Sequence, residues 1–191
     1  MTEMHQMDIV GPRHITGYGP INSIHIKDVV SRQAAGNQYD ETSRDNIMEF
    51  LLNYWKQHPI PKYLQVDNGM SFTGGHKHPK SFSRFMRLAL YVGIGVVFIA
   101  PLKPWMNGTI EEFNKGFDKR FWKKDRFRDL DDIRSKSPDF FEKENKFNAW
   151  KLRNENLKEI SPKRMLPDDF TIDVNHLPLV AGTIHFIRTV D

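Results

Sequence analysis

The chain has 191 residues, 39% hydrophobic and 12% aromatic, which suits one domain with a real core and argues against wholesale disorder. It contains no cysteine, which excludes disulfides, cysteine-ligated zinc and thiol catalysis. The net charge of +4 and pI of about 9.2 point only weakly to a polyanionic partner.

The opening "MTEMHQMDIV" has no signal-peptide pattern, and the longest apolar run, "VGIGVVFIAPL", is too short and glycine-broken to span a bilayer. A cytoplasmic protein with no membrane partner is expected. "HQMDIVGP" reads as a short strand ended by Gly11-Pro12, and "GYGP" (17–20) as a turn. "INSIHIKDVV" sets Ile21, Ser23 and His25 against Ile24 and Ile26, the alternation of a second strand. "RQAAGNQYD" is a third, and the short connections imply an antiparallel meander. Thr42 and Asp45 then resemble a capping box, and Ile47, Phe50, Leu51, Tyr54 and Trp55 recur at helical spacing until His58-Pro59.

"KYLQV" (62–66) is a strand running into Asp67-Asn68-Gly69, and "GGHKHPK" is a loop. "SFSRFMRLALYV" is a helix with Phe82, Phe85, Met86 and Ala89 on one face, and "GVVFIA" is a buried strand. Asn107-Gly108 reads as a turn before a helix whose Thr109-x-x-Glu112 fits a capping box. The order β-β-β-α-β-α-β-α gives an α/β fold with a five-stranded mixed sheet, a meander followed by parallel strands, flanked by helices. Beyond residue 127 the clearest helix is "SPDFFEKENKFNAWKLRNENLKE", and "HLPLVAGTIHFIRTVD" reads as the opening strands of a further small β domain. The expected organisation is a core over 1–127, a helical extension over 128–167 and the start of a β domain over 168–191.

Three acids fall where chemistry is plausible. Asp8 lies in the first strand, where aspartate is disfavoured. Asp67 ends the fourth strand, and ligands favour the carboxyl ends of strands in open α/β sheets. If these strands are neighbours, the two carboxylates repel unless a cation lies between them, and hard oxygen donors favour magnesium or manganese. On the helix after Gly108, Ile110, Phe113, Phe117 and Phe121 form one stripe; Glu111 borders it and Glu112 points away. Plainer readings stand beside these: an Asp-Asn-Gly turn, an acid at a helix start, a buried hydrogen-bonded aspartate. His76 and His78 could bind a metal, but a solvated loop is the better reading of so short a tract.

Several motifs in order carry a resemblance. "MDIVG", "VDNGMSF" and "PLKPWMNGTIEEFNKGF" resemble the catalytic blocks of the retroviral-integrase and insertion-sequence-transposase superfamily. "IKDVVSRQAAG", with Asp28-x-x-Ser31-Arg32, is similar to its second and third strands, so the likeness covers about residues 5 to 125. It implies an RNase H-like fold and a D,D,E site of Asp8, Asp67 and Glu111 that holds two divalent ions, Mg²⁺ or Mn²⁺. It implies DNA phosphoryl transfer: nicking at element ends, then joining of a 3′-hydroxyl to target DNA by a multimer acting on paired ends. Asn68 and Asn114 match supporting positions near that site. The 43 residues between Asp67 and Glu111 exceed the usual family gap, which leaves Glu112 open as a substitute for Glu111. The family's longer plan has a DNA-binding helical region before the core and a β domain after it, so the chain is expected to be a core separated from them.

Positive charge is concentrated just after the third acid. "KGFDKRFWKKDR" (115–126) holds six basic residues against two acidic ones. Lys115, Lys119, Arg120, Lys123 and Lys124 are therefore candidates for holding DNA phosphates, against the plain alternative of a solvated helix face. Two rival functions share these features: an RNase H-like metal-dependent nuclease without strand transfer, and a catalytically inactive DNA-binding module.

Overall fold

The computed structural model describes residues 3–73, 82–101, 103–154 and 164–187. The loop histidines His76 and His78 lie outside these residues. Six strands form one mixed sheet: β1 (Met4–Ile15), β2 (Gly19–Asp28), β3 (Ala34–Tyr39), β4 (Tyr63–Val66), β5 (Gly95–Phe98) and β6 (Ile184–Phe186). The order is β3-β2-β1-β4-β5-β6. β1, β2 and β3 pair antiparallel, whereas β4, β5 and β6 add in parallel on the other side of β1. The meander and parallel strands are thus as expected, but the sheet has six strands rather than five. The sixth comes from the C-terminal stretch, where Phe186 stacks on Phe98 with ring centroids 4.9 Å apart.

The helices are α1 (Arg44–Gln57), α2 (Met70–Thr73), α3 (Arg84–Tyr91), α4 (Gly108–Phe117) and α5 (Leu130–Asn154). Among the described residues, no helix is long and apolar enough to cross a membrane. Strand parity assigns each face of the sheet. Met7, Ile24, Ile26, Leu64, Val66, Val96 and Phe98 point to one side and meet α1 and α3 through Trp55, Leu51, Phe85 and Leu88. On the other side Ile110, Phe113 and Phe117 of α4 join Phe141 of α5 in a second cluster. Full burial of each such side chain contributes on the order of 1.5–3 kcal/mol.

Four local expectations are corrected. β1 does not end at Gly11-Pro12; it continues to Ile15 through a register shift between Val10 and Arg13. Gly11 makes that bulge feasible, because its φ of 133° is disfavoured for residues with a side chain, and a Cβ there would lie 2.9 Å from the Ile21 carbonyl oxygen. Ser43, not Thr42, caps α1, its hydroxyl accepting from the Asn46 amide at 3.1 Å. The second long helix starts at Arg84 behind the Ser83 cap, which leaves Phe82 outside it and 45% exposed. α5 starts at Leu130, because Asp129 accepts from the Asp132 amide at 2.8 Å and caps it there, and the helix then runs on through Pro138.

α5 also covers the edge of the sheet. Asn145 uses both ends of its amide on one residue of β3: Oδ1 accepts from Ala34 N at 2.8 Å and Nδ2 donates to Ala34 O at 2.9 Å. The side chain thereby stands in for a neighbouring strand. Asn145→Ala is expected to destabilise the protein by about 2 kcal/mol, through two lost bonds and the backbone of buried Ala34 left short of partners. Urea unfolding would check this by a lowered midpoint at unchanged slope; an unchanged midpoint would remove the role.

Candidate active site

The sheet face under α4 is polar in an alternating pattern. Gln6 and Asp8 on β1, His25 and Lys27 on β2, and Gln65 with Asp67 at the end of β4 share a parity opposite to that of the apolar core. Such groups are buried only with partners, and the partners here come from α4 and the turn before it.

Two glutamines fix the start of α4. The chain enters it through a 3₁₀ turn, Pro104–Asn107. Gln65 Nε2 donates to the Met106 carbonyl at 2.7 Å, and Gln6 Nε2 reaches the same oxygen at 3.2 Å. Gln6 Oε1 accepts from the Ile110 amide at 3.0 Å. One of the free amides of the helix start is therefore satisfied from a strand 104 residues away in sequence. This replaces the expected Thr109-x-x-Glu112 box: the preceding turn runs straight into α4, so Thr109 lies within the helix.

Each glutamine stands two residues before a candidate acid. The clamp therefore sets α4 over the strands that carry Asp8 and Asp67. Glu111, in the first turn of α4, is half-buried, and Glu112 is exposed. Burial lowers the pKa of Lys27 and the charge of Glu112 partly offsets this; the Lys27 ammonium lies 5.5 Å from the Phe113 ring centroid.

Asp8 is the best defined of the acids. Its Oδ2 accepts from Asn114 Nδ2 at 2.7 Å and its Oδ1 from the Ile9 amide at 2.9 Å. Burial, then the charge of Asp67, then that of Glu111 push its carboxyl up from 3.8 to about 6, against the two hydrogen bonds. Asn114 Oδ1 is 2.8 Å from His25 Nδ1. Because Asn114 donates to Asp8, its oxygen faces the histidine, and His25 donates from Nδ1. Burial holds the His25 ring neutral, its pKa lowered to about 4. The rings of Phe113, Phe117 and Phe141 meet His25 edge-on. The result is a chain of bonds, His25 to Asn114 to Asp8, roofed by aromatics.

Asp67 begins a tight turn, its Oδ1 accepting from the Gly69 amide at 2.9 Å. Asn68 donates to the Ile99 carbonyl at 2.6 Å and so ties the exits of β4 and β5 together. Asp8 and Asn114 are thus in direct contact, and Asp67 and Glu111 are near enough for both charges to act on Asp8. Three carboxylates offer hard oxygen donors that suit a divalent cation. Among the described residues, no three of His, Asp and Glu are grouped closely enough to hold a metal ion as they stand.

The basic stretch is less free than its sequence suggests. It forms a π-helical turn, Asp118–Trp122, and the residues after it. Lys123 pairs with Asp118 at 2.7 Å, and Arg13 reaches the other oxygen of that carboxylate at 2.9 Å. Arg120 pairs with Glu144 at 2.7 Å. Lys115, Lys119 and Lys124 are exposed and form no ion pair among the described residues.

Gln6, Gln65 and His25 were not marked by motif. Their signal is parity: polar residues at alternate positions, set against Met7 and Ile9 on β1, Ile24 and Ile26 on β2, and Leu64 and Val66 on β4.

No protein-family profile matches this chain, and no curated protein matches it. Among solved structures it is similar to a chain of a cryo-EM structure of a simian T-cell lymphotropic virus intasome in complex with PP2A regulatory subunit B56 gamma. The TM-score is 0.55 at 13% sequence identity, over 95% of this chain. The chain spans 60% of the length of the one it matches, and at that identity the likeness is one of fold.

Proposed function

We propose that this chain is the RNase H-like catalytic core of a DNA transposase or integrase, a polynucleotidyl transferase that nicks DNA at element ends and joins a 3′-hydroxyl to target DNA. The observation that carries the reading is topological: β1 and β4 pair in parallel with Gln6 opposite Gln65, which brings Asp8 and Asp67 to one edge of the sheet beneath the helix that carries Glu111. Burial and the neighbouring charges of Asp67 and Glu111 disfavour the charged form of Asp8, and a cation bound at this edge would relieve that. The sheet order and the likeness to a chain in a viral intasome structure support the same reading.

In this reading Asp8, Asp67 and Glu111 hold Mg²⁺ or Mn²⁺, two ions in the active complex. When bound, the ions lower the pKa of the attacking water or 3′-hydroxyl and stabilise charge on the leaving oxygen. Asn114 orients Asp8, and neutral His25 fixes the amide of Asn114 by donating to it. Glu112 stays outside the ligand set and serves Lys27. Lys115, Lys119 and Lys124 hold DNA phosphates, with Arg120 and Lys123 contributing less because each already has a carboxylate partner. The active form is a homo-oligomer on paired DNA ends.

The test is the product. With Mn²⁺ and a labelled duplex ending in a 3′-hydroxyl, joined molecules are expected beside plasmid. Cleaved plasmid without joined product would reassign the chain to hydrolytic nucleases; neither product, with DNA still bound, would leave a binding module.

A further inference from the structure

Two of the buried polar atoms without a hydrogen-bond partner among the described residues lie on neighbouring strands of one sheet face, under α4 and α5. One is Nε2 of His25 on β2; the other is Nε2 of Gln38 on β3, and both side chains are fully buried. In the β2–β3 register His25 lies opposite Gly36 and Ser23 opposite Gln38. His25 and Gln38 are therefore diagonal neighbours, within reach of each other's long side chains. Gly36 gives the imidazole its room: a Cβ there would lie 2.5 Å from Cδ2 of His25, the ring atom bonded to Nε2. The unpartnered edge of the ring is thus turned towards β3. Gln38 is held from behind by α5, where Ser137 donates to its Oε1 and Arg134 to its backbone carbonyl, each at 2.9 Å.

The sense of each bond follows from Asp8 outwards. An ionised carboxylate only accepts, so Asn114 shows its NH₂ to Asp8 and its oxygen to His25. His25 then carries its proton on Nδ1, which leaves Nε2 an acceptor. A donor is needed at that edge. Gln38 supplies one only with its NH₂ towards His25 and its oxygen towards Ser137, and that is how it is oriented. The two unpartnered nitrogens are complementary, one a donor and one an acceptor. A single buried water that accepts from Gln38 and donates to His25 satisfies both, and the buried Ser23, on the same face opposite Gln38, offers it a hydroxyl as third partner. We infer that Gln38 and Ser137 are positioning residues: through this water they fix the tautomer of His25, and through His25 they set which end of the Asn114 amide meets Asp8. The relay rests on the reading of Asp8 as a metal ligand in DNA phosphoryl transfer, and it extends the site to α5.

The experiment reads the imidazoles of the whole, metal-free chain by nitrogen–proton NMR correlations after ¹⁵N-histidine labelling, at pH 8. His25 is identified by its contacts with the Phe113 and Phe117 rings. The parent is expected to show His25 as the Nδ1–H tautomer. Gln38→Met is similar in size but lacks the donor, and Ser137→Ala frees the Gln38 amide to turn; each should bring in the Nε2–H tautomer. Ser137→Thr keeps the hydroxyl and should restore the parent pattern, which a merely structural role would not predict. In plasmid nicking, Gln38→Met and Ser137→Ala should need roughly 10-fold more Mn²⁺ for half-maximal rate, with an unchanged KM for DNA. An Nε2–H tautomer in the parent, or an undisturbed Nδ1–H tautomer in Gln38→Met, overturns the relay. A pattern undisturbed in Ser137→Ala alone removes Ser137 from it. Should Gln38→Met not fold, Ser137→Ala decides the relay by the same spectra. A changed tautomer with unchanged Mn²⁺ dependence overturns its reach to Asp8. A parent that neither nicks nor joins DNA overturns the phosphoryl-transfer reading, while the metal-free spectra still decide the relay.

Discussion

Asp67→Asn is expected to abolish manganese-dependent nicking of supercoiled plasmid, a fall of about 10³-fold or more, since a lost ligand forfeits several kcal/mol of charge stabilisation. The substitution is close to isosteric. The amide oxygen can still accept from the Gly69 amide, a bond of 2.9 Å in the parent, so the turn should survive. What disappears is the charge. Glu111→Gln should do the same, whereas Glu112→Gln should stay within about twofold, because an exposed acid facing Lys27 has no part in holding the ion. The pair of glutamate variants separates a site on α4 from a mere requirement for negative charge at its start. Equal nicking by Asp67→Asn and the parent protein would place the chemistry elsewhere. If Glu112→Gln fell as far as Glu111→Gln, the ligand assignment on α4 would fail.

The fold was legible where period and propensity agree. β2 alternates, α1 repeats its apolar residues at helical spacing, and both lie within two residues of their expected bounds. Boundaries failed where a neighbour in space supplied what the local sequence lacked. The amide of Ile110 is capped by Gln6 from β1, so no local cap was needed. β1 runs past Gly11-Pro12 because β2 still offers it partners as far as Ile15. β6 is three residues long and half exposed, and its pairing with β5 leaves no trace in its own sequence. At the site, the acids and Asn114 could be named from motif, but Gln6, Gln65 and His25 could not. His25 reads as one more residue of a strand until α4 brings Asn114 to within 2.8 Å of it. The basic run shows the opposite limit: Asp118 and Glu144 take up Lys123 and Arg120, one from within the run and one from α5.

Asp8→Asn should make the metal-free protein more stable while removing its activity. In the folded chain the Asp8 carboxyl is raised from 3.8 to about 6, so the folded state holds this proton more tightly than the unfolded one. The stability this provides is complete below 3.8 and is lost as pH rises through 6, at most about 3 kcal/mol by pH 7. His25 acts in the opposite sense. Its pKa is lowered from 6.5 to about 4, so the contribution of the neutral ring is complete above 6.5 and is lost as pH falls towards 4. Between pH 4 and 6 the two slopes oppose each other, and these two groups together should leave the parent protein nearly flat. Asparagine at position 8 keeps an oxygen for Asn114 but has no proton to lose. The variant should therefore reveal the His25 slope, gaining stability as pH rises from 4 to 6.5, and at pH 7.5 should melt roughly 5–10 °C above the parent. Adding Mn²⁺ should reverse the ranking. At a hundred times its dissociation constant an ion bound to the folded state adds about 2.7 kcal/mol, and only the chain with all three carboxylates should receive it in full. Thermal unfolding of both proteins from pH 4 to 8, with and without Mn²⁺, reads all of this in one series. A variant less stable than the parent at pH 7.5 would show that burial and the neighbouring acids do not disfavour the charged Asp8 in the folded chain. An equal rise of both proteins with Mn²⁺ would show that the ion binds somewhere other than at Asp8.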